Sequence, residues 1–219
     1  MIKGKAPASA SAQTNEPCIH VIDDDQSVRD ALSSLFRSVG YKVQLYGSTN
    51  AFMEAQRSEA NSCLVLDIRL PGASGLDLQT HLNQAQIPIP VIFMTGHGDI
   101  PMSVRAMKAG AIDFLAKPFR DQDMLDAVAN ALEADRKRRS ADGSLAAVRA
   151  AYETLTARER EIMQFVTAGL MNKQVAGNLG LSEITVKIHR ANVMKKMGCR
   201  ALADLVRMAS LLGLDPSKG

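Results

Sequence analysis

The chain has 219 residues, 46% hydrophobic and 22% charged, ordinary globular values that fit one large domain or two small ones with packed cores. Its net charge of +3 conceals two unlike parts: residues 17–132 carry 9 basic and 13 acidic side chains, whereas residues 153–219 carry 10 and 6. No apolar stretch approaches the roughly 18 residues of a membrane span, and Cys18, Cys63 and Cys199, widely spaced and without a CxxC pattern, read as buried free thiols of a soluble cytoplasmic protein.

Residues 1–16, rich in Ala, Ser and Lys and lacking an apolar h-region, read as a disordered tail rather than a signal peptide. Five strand–helix units follow. The strands are expected at 18–22, 42–46, 63–67, 90–95 and 112–116, and the helices at about 25–38, 48–58, 75–84, 100–109 and from 120 onward. Ser48 is placed to cap the second helix. Short apolar runs alternating with helices predict an α/β doubly wound, five-stranded parallel sheet covered on both faces.

Four of these runs end on residues suited to phosphoryl chemistry. Ile19–Ile22 leads into Asp23, Asp24 and Asp25; Cys63–Leu66 into Asp67; Val91–Met94 into Thr95; and Ile112–Ala116 into Lys117-Pro118. Ligands of parallel sheets gather at the carboxyl ends of the strands, so these groups are expected on one rim. Asp23, Asp24 and Asp67 would repel one another unless a cation relieves them, and a small all-oxygen set suits Mg²⁺. Asp67, alone at its strand end, is the natural nucleophile. Thr95 and Lys117 can donate a hydroxyl and an ammonium to phosphoryl oxygens. His20, His81 and His97 form no ligand cluster, and His97, two residues past Thr95, is placed to overhang the rim.

The fifth helix is expected to continue through the basic run Arg136-Lys137-Arg138-Arg139, read as a solvated linker more than a DNA contact, and to be interrupted at Ser140–Ser144. From Thr156 the pattern is purely helical. Thr156 and Glu159 form a capping box, Asn172 can cap a helix at Lys173–Leu179, and Ser182 caps another at Glu183–Met197. A last helix spans about Ala201–Leu212. Two short helices around Gly180-Leu181 are a helix-turn-helix signature. On the second of them Lys187, Ile188, Ala191 and Lys195 share the face expected in the major groove. Thr185, Arg190, Lys196 and Lys173 are better suited to phosphates. Ala191 can meet a thymine methyl. His189 reads as a packing or phosphate contact rather than a metal ligand.

The motifs Val-Ile-Asp-Asp-Asp, Leu-Asp-Ile-Arg-Leu-Pro-Gly, Met-Thr-Gly-His-Gly-Asp and Lys-Pro-Phe make residues 17–135 resemble the receiver domain of two-component response regulators. Leu155–Glu159, Asn172–Ala176 and Thr185–Arg190 make residues 153–215 resemble a LuxR-type helix-turn-helix, with 136–152 as linker. The pairing, with Gly96–Met102, is most similar to the FixJ subfamily. The resemblance implies a flavodoxin-like receiver that a sensor histidine kinase phosphorylates on Asp67. It also implies Mg²⁺ held by Asp24, Asp67 and the Arg69 carbonyl, with Asp23 acting through water. Phe114 takes the aromatic switch position that responds to Thr95, and Lys117-Pro118 is cis. As partners it implies double-stranded DNA bearing an inverted repeat, a second copy of the chain when phosphorylated, and RNA polymerase as a further candidate. Phosphoryl transfer is then expected to this protein's own aspartate, and the chain is not expected to be an enzyme acting on other substrates. The competing reading, a Mg²⁺-dependent aspartyl phosphatase, lacks the second acid of an Asp-x-Asp in Asp67-Ile68-Arg69 and lacks a lid domain.

Overall fold

A computed structural model describes residues 16–56, 60–96 and 100–214. The expected tail up to residue 15, and His97, lie outside the described residues. Two compact units divide between Arg139 and Ser140.

The five expected strands of the first unit become β1 (Cys18–Ile22), β2 (Lys42–Tyr46), β3 (Ser62–Asp67), β6 (Val91–Thr95) and β7 (Asp113–Ala116). They form one parallel sheet in the order β2-β1-β3-β6-β7. Two short strands that sequence did not indicate, β4 (Arg69–Leu70) and β5 (Ala73–Ser74), pair antiparallel just beyond β3. The connecting helices are α1 (Gln26–Ser38), α2 (Thr49–Glu54), α3 (Gly75–Gln84), α4 (Ile100–Lys108) and α5 (Asp121–Glu153). β1 and β3 are buried throughout because both of their faces are covered. Ile19, Val21, Cys63 and Val65 meet Leu32 and Phe36 of α1 and Met124, Val128 and Ala131 of α5. Ile22, Leu64 and Leu66 meet Phe52 of α2, Leu78 and Leu82 of α3, and Ala106 of α4. Each large side chain so buried contributes about 1.5–3 kcal/mol.

The strand order reverses between β1 and β3, so their carboxyl ends flank the crevice that such sheets use for ligands. The register completes the placement: Ile22 lies beside Leu66, Asp67 beside Met94, and Thr95 beside Ala116.

Two expected boundaries of the helices move by more than a residue or so. α2 is capped by Ser48, whose hydroxyl accepts from the Ala51 N–H at 3.2 Å, but it stops at Glu54 rather than 58 because Ala55 turns extended. The break at Ser140–Ser144 does not occur: α5 is one helix of 33 residues. Inside it the Ser144 hydroxyl donates to the Ser140 carbonyl at 2.8 Å, so this Ser satisfies itself along the helix instead of ending it.

The second unit holds α6 (Ala157–Thr167), α7 (Asn172–Leu179), α8 (Glu183–Lys196) and α9 (Leu202–Leu211). Its core is Ile162, Val166, Val175, Val186, Val193 and Leu205, joined by Val148 from the end of α5. The capping box forms as expected. Glu159 N–H donates to Thr156 Oγ1 at 3.3 Å, and Thr156 N–H donates to Glu159 Oε2 at 2.8 Å. Asn172 is not a cap. The helix starts one residue early, Gln174 Oε1 accepts from the Met171 N–H at 2.8 Å in that role, and Asn172 Oδ1 accepts from Arg190 at 3.1 Å. Gly180, left-handed at φ 63°, makes the turn into α8, whose cap Ser182 accepts from the Thr185 N–H at 3.1 Å.

Candidate functional site

Asp23 follows β1, Asp67 ends β3, Thr95 ends β6 and Lys117 follows β7, so four strand ends deliver their polar residues to one rim. One carboxylate oxygen from each of Asp23, Asp24 and Asp67 lies within 4.8 Å of the other two. Lys117 Nζ donates to Asp23 Oδ2 at 2.6 Å and to Asp67 Oδ2 at 2.7 Å. The other Asp67 oxygen accepts from the Arg69 N–H at 2.9 Å. Thr95 is fully buried at the strand end, and its carbonyl accepts from the Lys117 N–H at 2.7 Å. The Lys117-Pro118 peptide is cis. Phe114 is partly buried against the cluster shared with α3 and α4.

The electrostatics are those of an acidic pocket with one internal cation. Burial pushes the Asp23 carboxyl above its ordinary value, against the opposing pull of Lys117 and of the Asp25 N–H. Burial alone would lower the Lys117 ammonium, yet its two carboxylate partners outweigh that and raise it. Lys117 therefore stays charged at neutral pH. Asp67 is 8% exposed, while Asp24 faces solvent. Three carboxylates against one ammonium leave the pocket net negative, with hard oxygen donors at its mouth, a set that fits a divalent cation.

Sequence reasoning placed Asp23 and Asp24 on the rim but gave Asp25 no role. Asp25 is the α1 cap, accepting from the Ser27 N–H at 2.7 Å, and does not join the cluster. An Asp directly before the helix was the available signal. Arg29 was also missed. From the first turns of α1 its guanidinium donates to the Asp23 carbonyl at 2.5 Å and so pins the acidic loop. At Gly75, the first residue of α3, a Cβ would lie 2.6 Å from the Asp67 carbonyl oxygen. It is the place where α3 passes against the end of β3.

In the second unit α8 exposes Lys187, Ile188, Ala191 and Lys195 together, and Lys173 is exposed on α7. Thr185 is half-buried near the Ser182 cap, and Arg190 is held by Asn172. Lys196 departs from its expected place. Its ammonium pairs with buried Glu159 at 2.6 Å and donates to the Thr154 carbonyl at 3.2 Å, which ties α8 to the start of α6. The basic run on α5 is likewise partnered within the helix: Arg136 and Lys137 pair with Glu133, and Arg138 and Arg139 with Asp135. No helix among the described residues is long and apolar enough to cross a membrane.

Comparison with known proteins agrees with both halves. The response regulator receiver domain family matches residues 19–129, and the bacterial regulatory proteins of the luxR family match residues 153–209. Nodulation protein W of Bradyrhizobium diazoefficiens is 58% identical over 197 residues, covering 90% of this chain and 87% of that protein. Transcriptional regulatory protein FixJ of Rhizobium meliloti is 42% identical over 199 residues, covering 91% and 98%. The solved structure of response regulator StyR superposes with a TM-score of 0.82 at 47% identity, covering 89% of this chain and 98% of that one. With an acidic strand-end rim in one unit and a helix-turn-helix in the other, the chain belongs to the FixJ-like two-component response regulators, phosphorylation-dependent transcriptional regulators that join a receiver to a luxR-family DNA-binding domain.

Proposed function

We infer that Asp67 is the phosphoryl acceptor and that a sensor histidine kinase is the donor. The observation that carries this is the Asp67 carboxylate at the end of the central strand, held by the Arg69 N–H and Lys117 Nζ and flanked by Asp23 and Asp24. An Asp67 oxygen attacks phosphorus, the bond from phosphorus to the kinase imidazole breaks, and the imidazole leaves with its electron pair. Lys117 stays charged and pairs with the incoming phosphoryl oxygens, while the Thr95 hydroxyl donates to one of them. Asp24, Asp67 and the Arg69 carbonyl would hold Mg²⁺, with Asp23 reaching it through water, and the ion supplies positive charge where phosphoryl charge develops. Arg29 and the Asp25 N–H fix the backbone and carboxylate of Asp23 before any ligand arrives.

The output is promoter DNA bound by the second unit. Lys187, Ile188, Ala191 and Lys195 face the major groove, and Thr185, Arg190 and Lys173 reach phosphates. Lys196 is supported less than these, since its ammonium is engaged by Glu159. Movement of Thr95 and Phe114 on phosphorylation would be felt on the face from Ile100 to Leu115, where Val104, Met107 and Ile112 are exposed. That face is the proposed contact between two phosphorylated copies on an inverted repeat. Leu202, Val206 and Leu211 expose a second candidate contact on α9. RNA polymerase is the proposed recipient of the DNA-bound form. Incubation with acetyl phosphate and Mg²⁺ is expected to leave one acid-labile phosphate on the wild type and none on Asp67→Asn. Wild-type labelling of Asp67→Asn would show the acceptor to be another residue.

A further inference from the structure

The DNA-facing side of α8 is more apolar than a reader built on hydrogen bonds requires. Ile184, which the motif-based contacts omit, is 73% exposed, and Ile188 is 57% exposed. Ile184, Ile188, Ala191 and Lys195 follow at i, i+4, i+7 and i+11, a single stripe along a helix of 3.6 residues per turn. Lys187 borders the stripe on one side and Asn192 on the other, both exposed and able to hydrogen-bond a base edge. No local preference accounts for two exposed β-branched residues, since isoleucine is a weaker helix former than alanine. The core of this unit is filled by Val186 and Val193 from other sides of the same helix. From Ile184 to Ala191 the helix advances about 10 Å, the length of roughly three base pairs.

We propose that Ile184, Ile188 and Ala191 form a methyl-reading stripe, which selects operator sequence through the C5-methyl groups of thymines in the major groove. This rests on the reading of α8 as the DNA-facing helix. Thymine is the base that carries an apolar group on that edge, and lysines at 173, 187 and 195 supply the charge that draws the apolar stripe onto a polyanion. Two consequences follow. The preferred sites contain thymines on successive steps. A 5-methylcytosine at one of those steps is accepted better than cytosine, because it returns the same methyl to the same place.

The test uses the full-length protein, phosphorylated with acetyl phosphate, and sites selected from a random duplex library. Each thymine is replaced in turn by deoxyuridine, which removes the methyl and leaves the base pairing and hydrogen-bonding edge as they were. Binding is expected to weaken about fourfold at each methyl that is read, the equivalent of ~0.8 kcal/mol for one buried carbon. In Ile184→Ala the uracil-to-thymine ratio should fall to about one at one of those positions, whereas Lys187→Ala should keep it. Uracil tolerated within twofold at every position would overturn the stripe while leaving DNA reading intact. Failure to enrich any sequence would overturn both. An Ile184→Ala protein with altered sedimentation and an unchanged uracil ratio would assign the stripe to contact between copies instead, which also overturns the proposal.

Discussion

Gly75 shows how one missing side chain shapes the receiver site. Its N–H donates to the Ile68 carbonyl at 2.9 Å, and a Cβ would meet the Asp67 carbonyl oxygen at 2.6 Å and the Ile68 Cα at 3.1 Å. Those neighbours are backbone and cannot swing aside. Gly75→Ala is therefore expected to cost about 1–3 kcal/mol and to slow phosphorylation, because relief of the clash displaces the strand end that carries Asp67. Thermal unfolding and acetyl phosphate labelling of one preparation check both effects; full stability with a wild-type labelling rate would refute the packing argument. On the DNA side, Lys187→Ala is expected to cost about 1–3 kcal/mol and to relax preference at one base pair if Lys187 reads a base edge. A uniform loss across sequences with a shallower salt dependence would reassign it to phosphate.

The longest element, α5, is anchored by a buried carboxylate. Asp135 is 1% exposed, accepts from the Ser62 N–H at 3.0 Å, and pairs with Arg138 at 2.5 Å and Arg139 at 2.6 Å. Burial would raise its carboxyl, but the two guanidinium groups and the N–H outweigh that and hold it below its ordinary value of 3.8. Its folded form thus prefers the carboxylate. The stabilisation is complete above that ordinary value and is lost as the pH falls below it toward the lowered folded value. Asp135→Asn should destabilise by about 1–3 kcal/mol at pH 7, with the difference from wild type shrinking in acid; a gap constant from pH 7 to pH 3 would contradict this. The four strand-end residues were legible in sequence because buried parallel strands such as β3 and β6 leave largely apolar runs, while β2 showed through its alternation. The continuity of α5 was not. Ser140-Ala141-Asp142-Gly143-Ser144 has poor local helix propensity, about 1 kcal/mol for the glycine. Ending a helix and nucleating another, however, leaves two sets of unsatisfied backbone groups, and α5 has core residues on both sides of the segment, Ala131 and Leu132 before it and Val148 after it. Likewise, the positions of Lys187 and Lys195 on α8 were legible from spacing, while the diversion of Lys196 to Glu159 was not, since it depends on α6 being beside α8.

At the scale of the molecule, each unit has its own core, and Val148 places the last turns of α5 in the second. A fragment beginning at Ala141 retains every member of that core and is expected to fold and bind duplex DNA. If the receiver inhibits DNA binding, the fragment will bind more tightly than the unphosphorylated full chain; equal or weaker binding would leave phosphorylation-driven dimerisation as the switch. The cysteines add a further consequence. Burial pushes up the thiols of Cys18 and Cys63 on adjacent strands of the receiver and, more mildly placed, that of Cys199 between α8 and α9. A thiol as buried as Cys18 or Cys63 reacts with an alkylating reagent mainly when its surroundings open. The receiver therefore carries a built-in clock: the labelling rate of buried Cys63 reports how often the sheet comes apart, with the partly buried Cys199 as a reference in the same chain. One time course read by mass, with and without phosphorylation, would time that opening without any added probe.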